Sequence, residues 1–207
     1  MNATSFQKHQ TKPRPKKQGL LIVLSSPSGG GKTTLAHQLL RRDKNIIRSV
    51  SCTTRKPRLD EKNGKDYFFV TTSRFQQMKA RKAFLEWAQV HQNFYGTPKP
   101  WVLKQIEKGK DVLLVIDVQG GRSIQKLYRK ALLIFLMPPS LKVLKERLSR
   151  RQSEDDDSMR VRLQGARKEI REGRHYAHRV VNDRLPLAVA EVLRIIRFER
   201  KKTSKSL

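Results

Sequence analysis

Acidic residues are scarce in this chain, cysteine is nearly absent and aromatics are few. Only 18 of 207 residues are Asp or Glu, against 46 Lys or Arg, so the formal net charge is +28. The single cysteine, Cys52, excludes an internal disulfide and a cysteine-built metal cage. It suits a reducing compartment, and a cytoplasmic protein is expected. Aromatics at 7%, with no RNA-binding signature, argue against nucleic-acid recognition as the main role. No apolar stretch approaches the roughly 18 residues of a membrane helix, so no membrane partner is expected. The longest runs, such as residues 132–137, have the length of a strand.

What is present suffices for one packed domain: 37% of the residues are hydrophobic. Residues 1–18 carry Lys8, Lys12, Arg14, Lys16 and Lys17 with no acid and no helical or strand period, and read as a disordered basic arm. A targeting presequence is the rival, but such segments are Arg- and Ser-rich and amphipathic. The end of the chain, 201–207, reads as a basic tail, and Lys205-Ser206-Leu207 is not the peroxisomal tripeptide. Most of the positive excess sits on the body between. Two readings stay open: a basic solvated surface, or incidental polyanion binding, through the tails above all. The oligomeric state cannot be read from the sequence.

Order begins at Gly19. Apolar runs at 20–24, 112–116 and 132–137 read as buried parallel strands, apolar on both faces. Helical spacing occurs over 32–42, after Pro138-Pro139-Ser140, and over 158–175 and 187–200. Strands alternating with helices predict an α/β fold with a doubly wound parallel sheet. Residues 51–98 are mixed, aromatic and punctuated by Gly and Pro, and read as an insertion on the ligand side of that core.

The clearest motif is Ser26-Pro27-Ser28-Gly29-Gly30-Gly31-Lys32-Thr33, followed by Thr34, between a strand and a helix. Glycines let backbone N–H groups close around phosphate oxygens, and the helix N-terminus adds positive partial charge. Lys32 suits β- and γ-phosphates, and the Thr33 hydroxyl suits Mg²⁺. Ser26 stands where the pattern has its first glycine, a place where a side chain risks backbone strain. The loop implies a nucleoside triphosphate without naming the acceptor.

Four further segments are more specific: Ser49 to Arg58, Gly64-Lys65-Asp66-Tyr67-Phe68-Phe69, Phe84-Leu85-Glu86-Trp87-Ala88 and Asn93-Phe94-Tyr95-Gly96-Thr97. In this order and spacing the chain resembles the guanylate kinase family, from about Gly19 to Arg200. The resemblance implies phosphoryl transfer from ATP to GMP and dGMP with Mg²⁺. It implies that Ser51, Arg55, Arg58, Tyr67 and Tyr95 grip the GMP phosphate, that Glu86 and Thr97 read guanine, and that Asp117 touches guanine or a Mg²⁺-bound water. It assigns Arg151 and Arg162 to a lid that closes over the phosphates, with Arg162 near both substrates, and puts Asn182 and Asp183 near the adenine. Lys32, Arg58, Arg151 and Arg162 are the catalytic candidates. The other charges of the lid read as solvated. The expected organisation is a core of 19–50, 99–143 and 166–200, a GMP-binding insertion over 51–98 and a lid over 144–165.

Three positions depart from the family pattern. Besides Ser26, Gln152 replaces a glycine beside Arg151, and Val115 replaces the first of two alternating acids. Rival readings are a guanylate-kinase-like binding module, which typically loses the phosphate loop kept here, and a related sugar kinase, which would lack Glu86 and the tyrosines.

Overall fold

The computed structural model describes residues 18–90, 92–149 and 156–205. The basic arm up to Lys17, Arg151, Gln152 and the last two residues lie outside the described residues.

Strand β1 (Leu21–Ser25) is buried throughout. Its side chains alternate between two cores, as strand geometry requires. Ile22 and Leu24 join Leu35, Ala36 and Leu39 of α1 (Lys32–Arg42) and Val189, Val192 and Ile196 of α7 (Leu185–Lys205). Leu21 and Val23 join Val102 of α3 (Lys99–Glu107) and Ile124 of α4 (Val118–Leu127). Helices on both faces are why the strand has no polar face. Burying each such side chain contributes roughly 1.5–3 kcal/mol.

The main sheet adds β2 (Ile46–Arg48), β7 (Asp111–Val115), β8 (Leu132–Met137) and β9 (His178–Val181), in the order β2-β7-β1-β8-β9. Every pairing is parallel, so the expected doubly wound α/β core is found. Carboxyl ends of all five strands therefore lie along one edge, where open α/β sheets bind ligands.

A second sheet has the order β4-β3-β6-β5, from β3 (Cys52–Thr53), β4 (Phe68–Phe69), β5 (Phe84–Val90) and β6 (Asn93–Pro98). It packs on α2 (Thr72–Ala80), where Phe75 stacks on Phe84 and Phe94 with centroids 4.5 and 5.4 Å away. Buried Cys52 belongs to this small core. Helices α5 (Leu141–Ser149) and α6 (Asp156–Glu172) pack through Leu144, Leu148, Met159 and Ala166.

Helix α7 runs on to Lys205, into the stretch read from sequence as a tail. Arg200 explains the extension. It donates to Asp43 at 2.7 Å and to Asp111, whose other oxygen accepts the Leu20 amide at 2.8 Å. Asp111 is buried, so removing Arg200 leaves an uncompensated charge at a cost of about 3–5 kcal/mol.

Candidate active site

The phosphate loop joins β1 to α1 at the sheet's ligand edge. Gly29 and Gly31 adopt φ of 80° and 89°, a region where glycine alone is unstrained. Helix α1 starts with no side-chain cap on its free N–H groups, the arrangement that attracts an anion. Ser26 is buried but has no positive φ, so the strain anticipated there is absent. Pro27 and Ser28 carry the chain to the tip, and Gly30 bonds back to the Pro27 carbonyl at 2.9 Å. Thr33 and Thr34 are exposed on the first helical turn. Burial drives the pKa of Lys32 down, opposed by the negative charges of Asp117 and Glu169.

Asn182, at the end of β9, braces this loop. It is buried, its side-chain amide donates to the Gly30 carbonyl at 3.0 Å, and it crowds Gly31 closely enough to exclude a Cβ there. Its carbonyl accepts from Arg147 at 3.0 Å. Arg147 reads from sequence as a solvated lid charge, and the structure corrects that: its second guanidinium nitrogen is buried without a hydrogen-bond partner among the described residues. The adjoining Asp183 is exposed.

A second basic seat lies in the loop after β3. Arg55 donates to both Glu61 oxygens at 2.8 and 2.9 Å and stands 5.6 Å from the centre of the Tyr67 ring. Tyr67 meets Tyr95 edge to face at 6.0 Å. Glu61 also accepts the Arg58 amide at 2.9 Å, so one carboxylate organises both arginines, while the Arg58 side chain stays exposed. Burial works against the Glu61 charge, but hydrogen bonds from Arg55 and Arg58 outweigh it and hold its pKa below the usual range. Ser51 is half-buried before β3, its carbonyl pairing with the Phe68 amide.

Glu86 and Thr97 face each other across the β5–β6 pair, both buried, with the hydroxyl donating to the carboxylate at 2.6 Å. Burial raises the Glu86 pKa to about 7, Thr97 opposes the rise and Asp117 adds to it. The other Glu86 oxygen would lie 2.6 Å from a Cβ on Gly120, so only glycine admits this close approach. Asp117 caps α4, accepting the Gly120 amide at 2.8 Å. Val115, the missing acid, is half-buried and packs against the β1–α1–α7 core.

Helix α6 carries half-buried Arg162 and, two turns on, Glu169, which accepts the Ser28 amide at 3.0 Å. Glu61, Arg147, Gly120 and Glu169 were not singled out from sequence. Only Glu61 has a local signal, as one of two adjacent acids, with Asp60, amid the bases of 55–65.

Comparison with known proteins identifies the family. The guanylate kinase family profile matches residues 18–199. The guanylate kinase of Nitrosomonas europaea is 45% identical over 187 residues, 90% of this chain and 93% of that protein. That of Wolbachia pipientis wMel is 44% identical over 191 residues, 92% of this chain and 95% of the relative. The crystal structure of guanylate kinase from Anaplasma phagocytophilum superposes with a TM-score of 0.75 at 37% identity, covering 89% of this chain and 88% of the other. The chain belongs to the guanylate kinase family.

Proposed function

We propose that this chain transfers the terminal phosphoryl group of ATP to GMP, and to dGMP, giving ADP and the diphosphate. The observation that carries the reading is the buried Glu86–Thr97 pair, which presses on Gly120 beside Asp117, the acid whose charge reaches both Glu86 and the loop's Lys32. A carboxylate with its pKa near 7 in an apolar site gains most from a ligand that brings donors to it. Guanine offers N1–H and its 2-amino group together, which adenine does not. On binding, the Thr97 hydroxyl turns from Glu86 to the guanine O6.

The GMP phosphate sits on Arg55, Arg58, Ser51, Tyr67 and Tyr95, where guanidinium and hydroxyl groups suit a phosphate monoester. Its second ionisation lies near 6 for a typical monoester, so at neutral pH it attacks without a general base. A GMP oxygen forms the new bond to the γ-phosphorus, the bond to the β–γ bridging oxygen breaks, and ADP leaves. Lys32 and the loop amides hold the β- and γ-phosphates, and Arg151 and Arg162 add charge as the lid closes. Asn182 holds the loop in shape, and Asp183 lies towards the adenine. Thr33 and Asp117 offer hard oxygen donors suited to Mg²⁺ and its waters, and that ion neutralises the charge on the phosphates when bound.

The activity belongs to purine nucleotide metabolism, and the lone cysteine fits the cytoplasm. A coupled assay of ADP release with GMP, dGMP, AMP or no acceptor tests the reading. Turnover with GMP and dGMP alone supports it. A purified chain that binds both nucleotides and never makes GDP would overturn it in favour of a binding module.

A further inference from the structure

The loop that is built to hold phosphate already holds a carboxylate. Glu169 accepts the Ser28 amide at 3.0 Å, at the tip of the loop, and its charge reaches Lys32. A second contact supports the same docking: Leu148 of α5 packs on Gly29 so closely that a Cβ there would lie 2.9 Å away. Since Leu148 and Ala166 share one small core, α5 and α6 rest on the loop as a pair. Arg162 lies seven residues before Glu169 and therefore on the same face of α6, about 10 Å along the axis.

We propose that Glu169 is a built-in phosphate mimic that holds α6 on the phosphate loop and is displaced by the triphosphate of ATP. The Ser28 amide has one hydrogen to donate, at an exposed point of the loop, and a phosphate oxygen taking it would stand against the Glu169 carboxylate at like charge. Both anions cannot keep the seat. Arrival of ATP thus frees the end of α6 from the loop, and this release lets the helix reset with Arg162 directed at the phosphates. Until then the carboxylate keeps the loop amide and Lys32 compensated. Glu169 is a positioning residue in this scheme and touches no reacting atom. The inference rests on the loop being the ATP site, and not on the acceptor being GMP.

Calorimetric titration of the full chain with ATP, GMP absent, tests it on Glu169→Gln and Glu169→Ala. A competitor that occupies the seat lowers the apparent affinity by the fraction of molecules it blocks. Both variants should bind ATP roughly three- to tenfold more tightly than the parent, with the larger gain in Glu169→Ala, and GMP affinity should hold. The melting temperature without ligand should fall in both, since the loop amide loses its charged partner. Equal or weaker ATP binding in both variants would overturn the inference, because Glu169 would then be neutral to the nucleotide or one of its supports. ATP binding is read without turnover, so a chain inactive towards GMP leaves the outcome interpretable.

Discussion

At the scale of single residues, Glu86 is the side chain whose chemistry is most constrained. Its pKa of about 7 in the ligand-free protein exceeds the ordinary carboxylate value because burial penalises the charged form. The folded chain therefore holds the proton more tightly than the unfolded chain does. Its contribution to stability is complete below about pH 4.5 and is lost as the pH rises through about 7. Accepting two guanine donors requires the ionised form, so GMP affinity should rise between pH 6 and 8. The GMP phosphate titrates near the lower end of that range, and Glu86→Gln is the control that separates the two. In that variant the Glu86 component of the slope should vanish. Its kcat/KM for GMP should fall about tenfold or more, since a buried donor facing donors costs about 1–3 kcal/mol. ATP affinity should stay put. Unchanged selectivity for GMP over AMP would remove Glu86 from the base site. Lys32→Ala makes the complementary case at the phosphate loop. Turnover should be lost while GMP binding, measured calorimetrically, is kept.

Among the elements, legibility tracks how local the cause is. The helix expected over 32–42 has those bounds because its start is written into the glycine-rich loop and its buried face repeats at Leu35 and Leu39. The core strands show as continuous apolar runs because both of their faces are covered. The β5–β6 hairpin was not legible: Phe84, Leu85 and Glu86 are consecutive and all buried, which breaks the alternation of a half-buried strand. Contacts that depend on distant packing left no local trace. Gly120 matters only because Glu86, 34 residues earlier, presses on it, and Glu169 is one of several acids interspersed with bases along α6 until that helix meets the loop.

Val115 pairs with Leu24 and packs on the core shared by α1 and α7, so its surroundings have adapted to an apolar side chain. Restoring the family's acid as Val115→Asp puts a carboxylate among hydrocarbons, at a cost of about 1–3 kcal/mol. For a domain of this size each kcal/mol lowers the melting temperature by roughly 2–4 °C. The variant should melt several degrees lower and turn over GMP no faster. Faster turnover at unchanged melting temperature would show that the site merely lacks the second acid.

The whole molecule is dominated by its charge. At +28, with 18 acids among 46 bases, most cationic groups have no acidic counterpart, and the folded state gathers them more closely than the unfolded chain does. Charged helices add to this locally: Arg194, Arg197, Lys201 and Lys202 are all exposed on α7. Acids that are placed well do structural work, as Asp43 and Asp111 do in clasping Arg200, and that partly buried group is poorly screened. Exposed repulsion is screened well, since the Debye length shrinks from about 10 Å at 0.1 M salt to about 3 Å at 1 M. Added KCl should therefore raise the melting temperature of the ligand-free chain. The same salt should weaken GMP and ATP binding, because it screens the attraction between the basic seats and the phosphates. The two trends have opposite signs and come from one cause, which makes the pair diagnostic. Calorimetric scans and nucleotide titrations across a KCl series measure both. A melting temperature that falls with salt while affinity also falls would mean that specific surface ion pairs, such as Arg194 with Glu191, outweigh the net repulsion in holding the fold.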